Sequence, residues 1–206
     1  MNCPNCMQPS SEEDVFCKSC GTRLVSDNDT ISSTQFGDPA YLNSFDNILL
    51  VHSNFKGMMN FTFQDQNENN VALTQGKLGI PLKFIVMDTD NRTLFRISAE
   101  RVKGLMYNST VLDPQGKLLA TIKPKSGIGK KFEVDVAEMN PMLLKSDMRE
   151  ANYELLMQDG SVIAKGHGNM MAILKERVEI VITSGTPVDR RVILASFLLL
   201  ISSMVR

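Results

Sequence analysis

The chain has no tryptophan, only two histidines, and no cysteine after position 20. The missing cysteines exclude a disulfide framework for everything downstream, so the main body must be held by a packed apolar core. The scarcity of histidine and thiol leaves little material for nucleophilic catalysis, and no Gly-x-Ser-x-Gly elbow is present. Gly127-Ile128-Gly129-Lys130 lacks the spacing of a phosphate-binding loop. The formal net charge of -1 supplies no global field to attract nucleic acid or an anionic membrane. The opening "MNCPNC" has no basic region followed by an apolar run. A secretory signal is therefore not expected, and a reducing, cytoplasmic setting is.

What is present starts with the four cysteines. Cys3-x2-Cys6-x10-Cys17-x2-Cys20 forms two tight knuckles, each offering two sulfurs, and two knuckles complete a tetrahedron around one metal ion. Gly21 follows the last ligand, where a turn benefits from positive φ. Redox thiols and a rubredoxin-type iron are the competing uses of this spacing. Four closed thiolates with no open position point to one structural Zn(2+) in a zinc ribbon over residues 1–24. The ribbon sets Lys18 and Arg23 against Glu12, Glu13 and Asp14. It is acidic before the thiolates are counted, so a protein partner or a purely structural role is expected, and nucleic acid is not. Residues 25–40, "VSDNDTISSTQFGDPA", are too polar to offset their own ordering entropy and form a linker.

From Tyr41 onward the pattern is mainly β. "LKFIVMDTDNRTLFRISAERV", "STVLDPQGKLLATIKPK" and "NYELLMQDGSVIAKGHG" each place an apolar-rich strand on either side of a polar turn. The turns, at Asp90-Asn91, Pro114-Gln115-Gly116 and Asp159-Gly160, use residues that accept hairpin dihedrals. "MMNFTFQDQNENNVALTQ" forms a further hairpin across an Asn-rich loop, and "RVEIVITSG" a late strand. A short helix is expected around Asn140–Arg149. Successive hairpins without a fixed numerical period predict a closed meander, not a solenoid.

The last segment, "DRRVILASFLLLISSMVR", shows no polar face, so protein or lipid must enclose it. A helix is expected over 187–205, with Thr186 as cap, Pro187 first in the helix and Asp189 third. Its strictly apolar part, Val192–Val205, is broken only by three serines and spans about 21 Å as a helix, against about 30 Å for a bilayer core. Length favours a helix buried in protein over a membrane anchor.

"VLDPQGKLLATI" (Val111–Ile122), "LLMQDGSVIAKG" (Leu155–Gly166) and "DRRVILASFLLLISSM" (Asp189–Met204) resemble the tubby C-terminal-like superfamily, closest in character to the LURP-one-related proteins and the phospholipid scramblases. The resemblance covers residues 41–206. It implies a β barrel, typically of twelve strands, wrapped around a central hydrophobic helix. The scramblase pattern is incomplete: there is no cysteine cluster beyond Cys20. "DTDNRTLFRISAE" puts Arg92, Thr93 and Ala99 where a calcium loop needs a ligand, a glycine and a glutamate.

Between Asp113 and Glu133 stand five lysines and no acid: Lys117, Lys123, Lys125, Lys130 and Lys131. They form a candidate site for an anionic ligand or lipid headgroup. The competing use is a solvated hairpin edge, where lysine discourages strand pairing. His52 and His167 lack acidic neighbours in sequence and are expected to be structural. The resulting expectation is a non-catalytic protein: a zinc ribbon that recruits a protein partner, fused to a barrel acting as scaffold or anionic-lipid module. The alternative is a scramblase-like protein with its tail helix inserted in the bilayer.

Overall fold

Alternation sets the strands. Along "RVEIVI", Val178, Ile180 and Ile182 are buried while Arg177, Glu179 and Val181 are exposed, the period-two signature of a sheet with one face covered. The computed structural model describes residues 36–55, 58–77, 82–101, 107–125, 131–147, 151–168 and 177–203. They form twelve strands: β1 (Asn47–Phe55), β2 (Met58–Gln64), β3 (Asn70–Lys77), β4 (Leu82–Met87), β5 (Thr93–Arg101), β6 (Tyr107–Leu112), β7 (Leu118–Lys125), β8 (Lys131–Val136), β9 (Met142–Asp147), β10 (Asn152–Leu156), β11 (Val162–Gly168) and β12 (Arg177–Ile182). One helix, α1 (Arg190–Ser202), follows. Each strand pairs antiparallel with its sequence neighbours, and β1 pairs with β12 to close the barrel.

Four hairpins repeat one design. In β2–β3, β4–β5, β6–β7 and β10–β11 the register slips once, beside the turn, at a β-bulge. Each turn places one residue at positive φ: Glu68, Asn91, Gly116 and Gly160. In the first three the residue opening the turn is an aspartate, Asp65, Asp88 or Asp113, whose Oδ1 accepts N–H bonds from within the turn at 2.8–3.0 Å. In the fourth that position is Met157, and Asp159 takes over by accepting from the Ser161 N–H at 2.9 Å.

The C-terminal helix is the barrel's core. Val192–Ser202 are all buried, among them Phe197 and Leu198 at 0% exposure, and the inward side chains of the strands join them in one cluster. Ser196 and Ser202 do not break this apolar surround, because their hydroxyls donate to the Val192 and Leu199 carbonyls at 2.8 and 2.9 Å. Gly166 gives Phe197 its room: a Cβ there would sit 2.6 Å from Phe197 Cε1. The opening of the helix differs from expectation. Asp189 is the cap, accepting from the Arg191 N–H at 2.9 Å, and the helix starts at Arg190, three residues after Pro187. Arg190 is nearly buried and reaches Asp46, just before β1, at 2.6 Å. The Ser184 hydroxyl also donates to Asp46 at 2.6 Å, and these partners hold that carboxyl below its ordinary pKa.

Two further expectations change. The helix around Asn140–Arg149 is absent among the described residues: Met142–Asp147 is the strand β9, with Met142 and Leu144 inward and Lys145 and Asp147 outward. Part of the stretch expected to be linker also carries regular structure. Phe36 bridges Thr93, Gly37 donates to the Thr93 carbonyl at 3.0 Å, and Asp38 caps a short 3-10 helix, Pro39–Ser44, that buries Leu42. Gly37 is needed there, because a Cβ would lie 2.7 Å from Leu94 Cδ2 and 2.8 Å from Asp88 Oδ2. The zinc-ligand cysteines Cys3, Cys6, Cys17 and Cys20 lie outside the described residues.

Candidate anion-binding face

The four described lysines of the run do not all stay together once folded. Lys117 sits in the β6–β7 turn, its N–H donating to Asp113 Oδ1 at 2.8 Å. Eight residues of extended strand, about 26 Å, part it from Lys125. Lys130 lies outside the described residues. Lys123, Lys125 and Lys131 remain together on the outer wall of β7 and β8. Lys123 stands opposite Glu133 and Lys125 opposite Lys131.

The register then adds a residue that the linear run does not contain. Lys131 is also directly opposite Lys145 of β9. Lys125, Lys131 and Lys145 therefore form a row across three neighbouring strands, with about 5 Å between adjacent backbones. The row continues to Glu154 of β10 and Lys165 of β11. Acids answer only part of it. Glu133 pairs with Lys125 at 3.1 Å, and Glu154 approaches Lys165 at 3.8 Å. Lys131 and Lys145 have no ion pair among the described residues. Like charges directly opposite each other in a sheet are unfavourable. Protection of a sheet edge cannot be the reason for them, since both edges of β7, β8 and β9 are paired in the closed barrel.

Beside the row lies a groove of about 330 Å³, bordered by Lys125, Glu133 and Lys145 and floored by Leu143, Leu156 and Met157. A second hollow, of about 420 Å³, has Asp65, Glu68 and Glu179 among its lining, with Arg177 bound to Glu68 at 2.7 Å.

The histidines do not assemble a reactive site. His167 is exposed on β11 and its Nδ1 meets Asn152 Oδ1 at 2.7 Å, across the strand pair. His52 points inward from β1 against Phe61, with ring centroids 4.8 Å apart, and neither ring nitrogen has a hydrogen-bond partner. Burial pushes its pKa down, keeping the ring neutral. Among the described residues no cluster of three or more His, Cys, Asp or Glu is arranged to hold a metal ion. No helix among them is long and apolar enough to cross a membrane.

A closed antiparallel meander around a single C-terminal helix defines the tubby-like class of barrel. The sequence matches the LURP-one-related family over residues 49–201, and the chain belongs to that family. An X-ray structure of a protein from Arabidopsis thaliana superposes with a TM-score of 0.57 at 18% identity, covering 82% of this chain and 97% of that one. At that identity the likeness concerns the fold. No curated protein matches the sequence.

Proposed function

We propose that this is a non-catalytic, cytoplasmic protein whose barrel binds anionic membrane surfaces peripherally through the outer faces of β7–β9. The carrying observation is the row Lys125–Lys131–Lys145, where two of three directly opposed cations lack a carboxylate partner among the described residues. A patch that is unfavourable in isolation and has no edge to protect is relieved when an anion docks. Each lysine near an anionic surface contributes on the order of 1 kcal/mol, and salt screens it. In the same reading, Cys3, Cys6, Cys17 and Cys20 hold one structural zinc, and the ribbon serves a protein partner. The knuckle spacing supports that part. A scramblase-like protein with an inserted tail is disfavoured, because withdrawing α1 would strip the barrel of its core.

The test is sedimentation with phosphatidylcholine vesicles, with and without phosphatidylserine, across a salt series. Binding should require the anionic lipid, weaken with salt, and drop when Lys123, Lys125, Lys131 and Lys145 are replaced by Gln. Equal binding to neutral vesicles, or an unaffected quadruple variant, would refute the reading. For the ribbon, metal analysis of protein made in zinc-replete medium should find about one zinc per chain. Iron, or a Cys3→Ser variant that retains its zinc, would contradict it.

A further inference from the structure

The groove beside the lysine row has features that a flat electrostatic contact does not require. Leu143 and Leu156 stand opposite each other and outward of the barrel, on a face otherwise occupied by charged and polar side chains. Leu156 is only 7% exposed there, and Met157, Gln158 and Gly160 of the β10–β11 turn line the groove with it. That turn is the one of the four like hairpins in which methionine replaces the opening aspartate. Aspartate at that point accepts turn N–H groups through its side chain, as Asp65, Asp88 and Asp113 do; the Met157 side chain gives that up, packs partly against the core and lines the groove. A local rule broken once, at the rim of a hollow, marks a place where something other than the turn sets the residue. One end of the same groove carries Lys125 and Lys145 together with Glu133, which pairs with Lys125 at 3.1 Å, and Lys131 lies between the two lysines in register, so the end keeps a net positive charge.

We propose that this groove binds one single-chain amphiphile carrying a phosphate monoester. The phosphate lies at Lys125, Lys131 and Lys145, and the chain lies along Leu143, Leu156 and Met157. The volume of about 330 Å³ sits at the small end of the roughly 300–1,000 Å³ usual for small-molecule sites, which suits one chain and not two. Charge complementarity fixes the head, and the apolar floor separates this ligand from a free phosphate. The inference rests on the anionic-surface reading for the role of the lysines, but it adds a chain-binding groove that the reading does not need.

The experiment is calorimetric titration of the full-length protein with octyl phosphate below its micelle concentration, alongside inorganic phosphate and octanol. Octyl phosphate should saturate at one per chain. It should bind about tenfold or more tighter than either control, because each buried methylene contributes several-fold in affinity. Met157→Asn supplies a turn-forming residue in place of a side chain partly packed against the core, so the variant should still melt cooperatively, which a thermal melt checks before titration. That variant should weaken octyl phosphate about tenfold while leaving inorganic phosphate unaffected. Lys145→Gln should weaken both. Inorganic phosphate binding as tightly as octyl phosphate would identify a simple anion site and overturn the proposal, as would unaltered binding in Met157→Asn. If anionic vesicles bind through the lysines but octyl phosphate does not saturate, the groove assignment fails and the surface reading stands. If octyl phosphate binds and vesicles do not, the surface reading fails and the groove stands.

Discussion

The two faces of β7, β8 and β9 differ by a single residue step and answer to different demands. Inward, Ala120, Ile122, Phe132, Val134, Met142 and Leu144 join the cluster around α1. Outward, Lys123, Lys125, Lys131, Glu133 and Lys145 line the wall. The inner face has to fill a fixed space around one helix, so volume decides its residues. The outer face has no such limit, and electrostatic strain at Lys131 and Lys145 costs only a fraction of what a cavity inside would. Stability is therefore concentrated inside and binding capacity outside, and substitutions on the two faces should separate these properties.

The largest effect is expected inside, for Phe197→Ala. Phe197 is fully buried, and its removal should cost about 3–5 kcal/mol in chemical unfolding, a large share of a single domain's stability. Gly166→Ala comes next. The new methyl would meet Phe197 Cε1 at 2.6 Å and Tyr153 Cδ2 at 3.1 Å, so overpacking of about 1–3 kcal/mol is expected. Adding Phe197→Leu to Gly166→Ala should recover part of the loss relative to the sum of the single changes. Strict additivity would show that the two positions do not touch.

A smaller effect comes from His52. Its folded-state pKa lies below the ordinary value of about 6.5, because burial disfavours the charged ring. The unfolded chain therefore takes up the proton first as pH falls. Its contribution is intact above pH 6.5 and is lost progressively from there down through the lowered native pKa. Melting temperature should decline over that window in the native chain and stay flatter in His52→Leu. Asp46, Asp65 and Asp159, whose pKa values are also lowered, act only at more acidic pH. The smallest effect is expected outside. Lys131→Gln removes a cation flanked by two others, so stability should stay within about 0.5 kcal/mol or rise slightly. A clear loss of stability would assign Lys131 a structural role and blur the division between the faces.

The parts of this architecture legible in the sequence were the local ones. Asn91, Gly116 and Gly160 occupy positive-φ turn positions, which is why their hairpins could be read from turn chemistry alone. The apolar tail was legible as core because its length decided between protein and lipid. What escaped were relations between distant residues. The pattern "MLLKSD" alternates too briefly, and its outward Leu143 obscures the period, so β9 was expected to be a helix. Lys145 is likewise hidden in the sequence, because it becomes a neighbour of Lys131 only through strand pairing. Thr186-Pro187 resembles a helix start more closely than Asp189 does. The Asp46–Arg190 contact at the actual start spans 144 positions. Met157 carried a signal that could have been found: aligning the turns against one another exposes it as the odd residue.

The C-terminal segment forms the inside of the barrel, and the strands depend on it for their core. The direct measurement is a stop codon after Thr186, followed by circular dichroism and thermal melting of the shortened chain. The strands should lose the apolar mass they surround, giving aggregation or a melt without a cooperative transition. A soluble product with a native-like cooperative melt would instead show that the barrel closes without its helix.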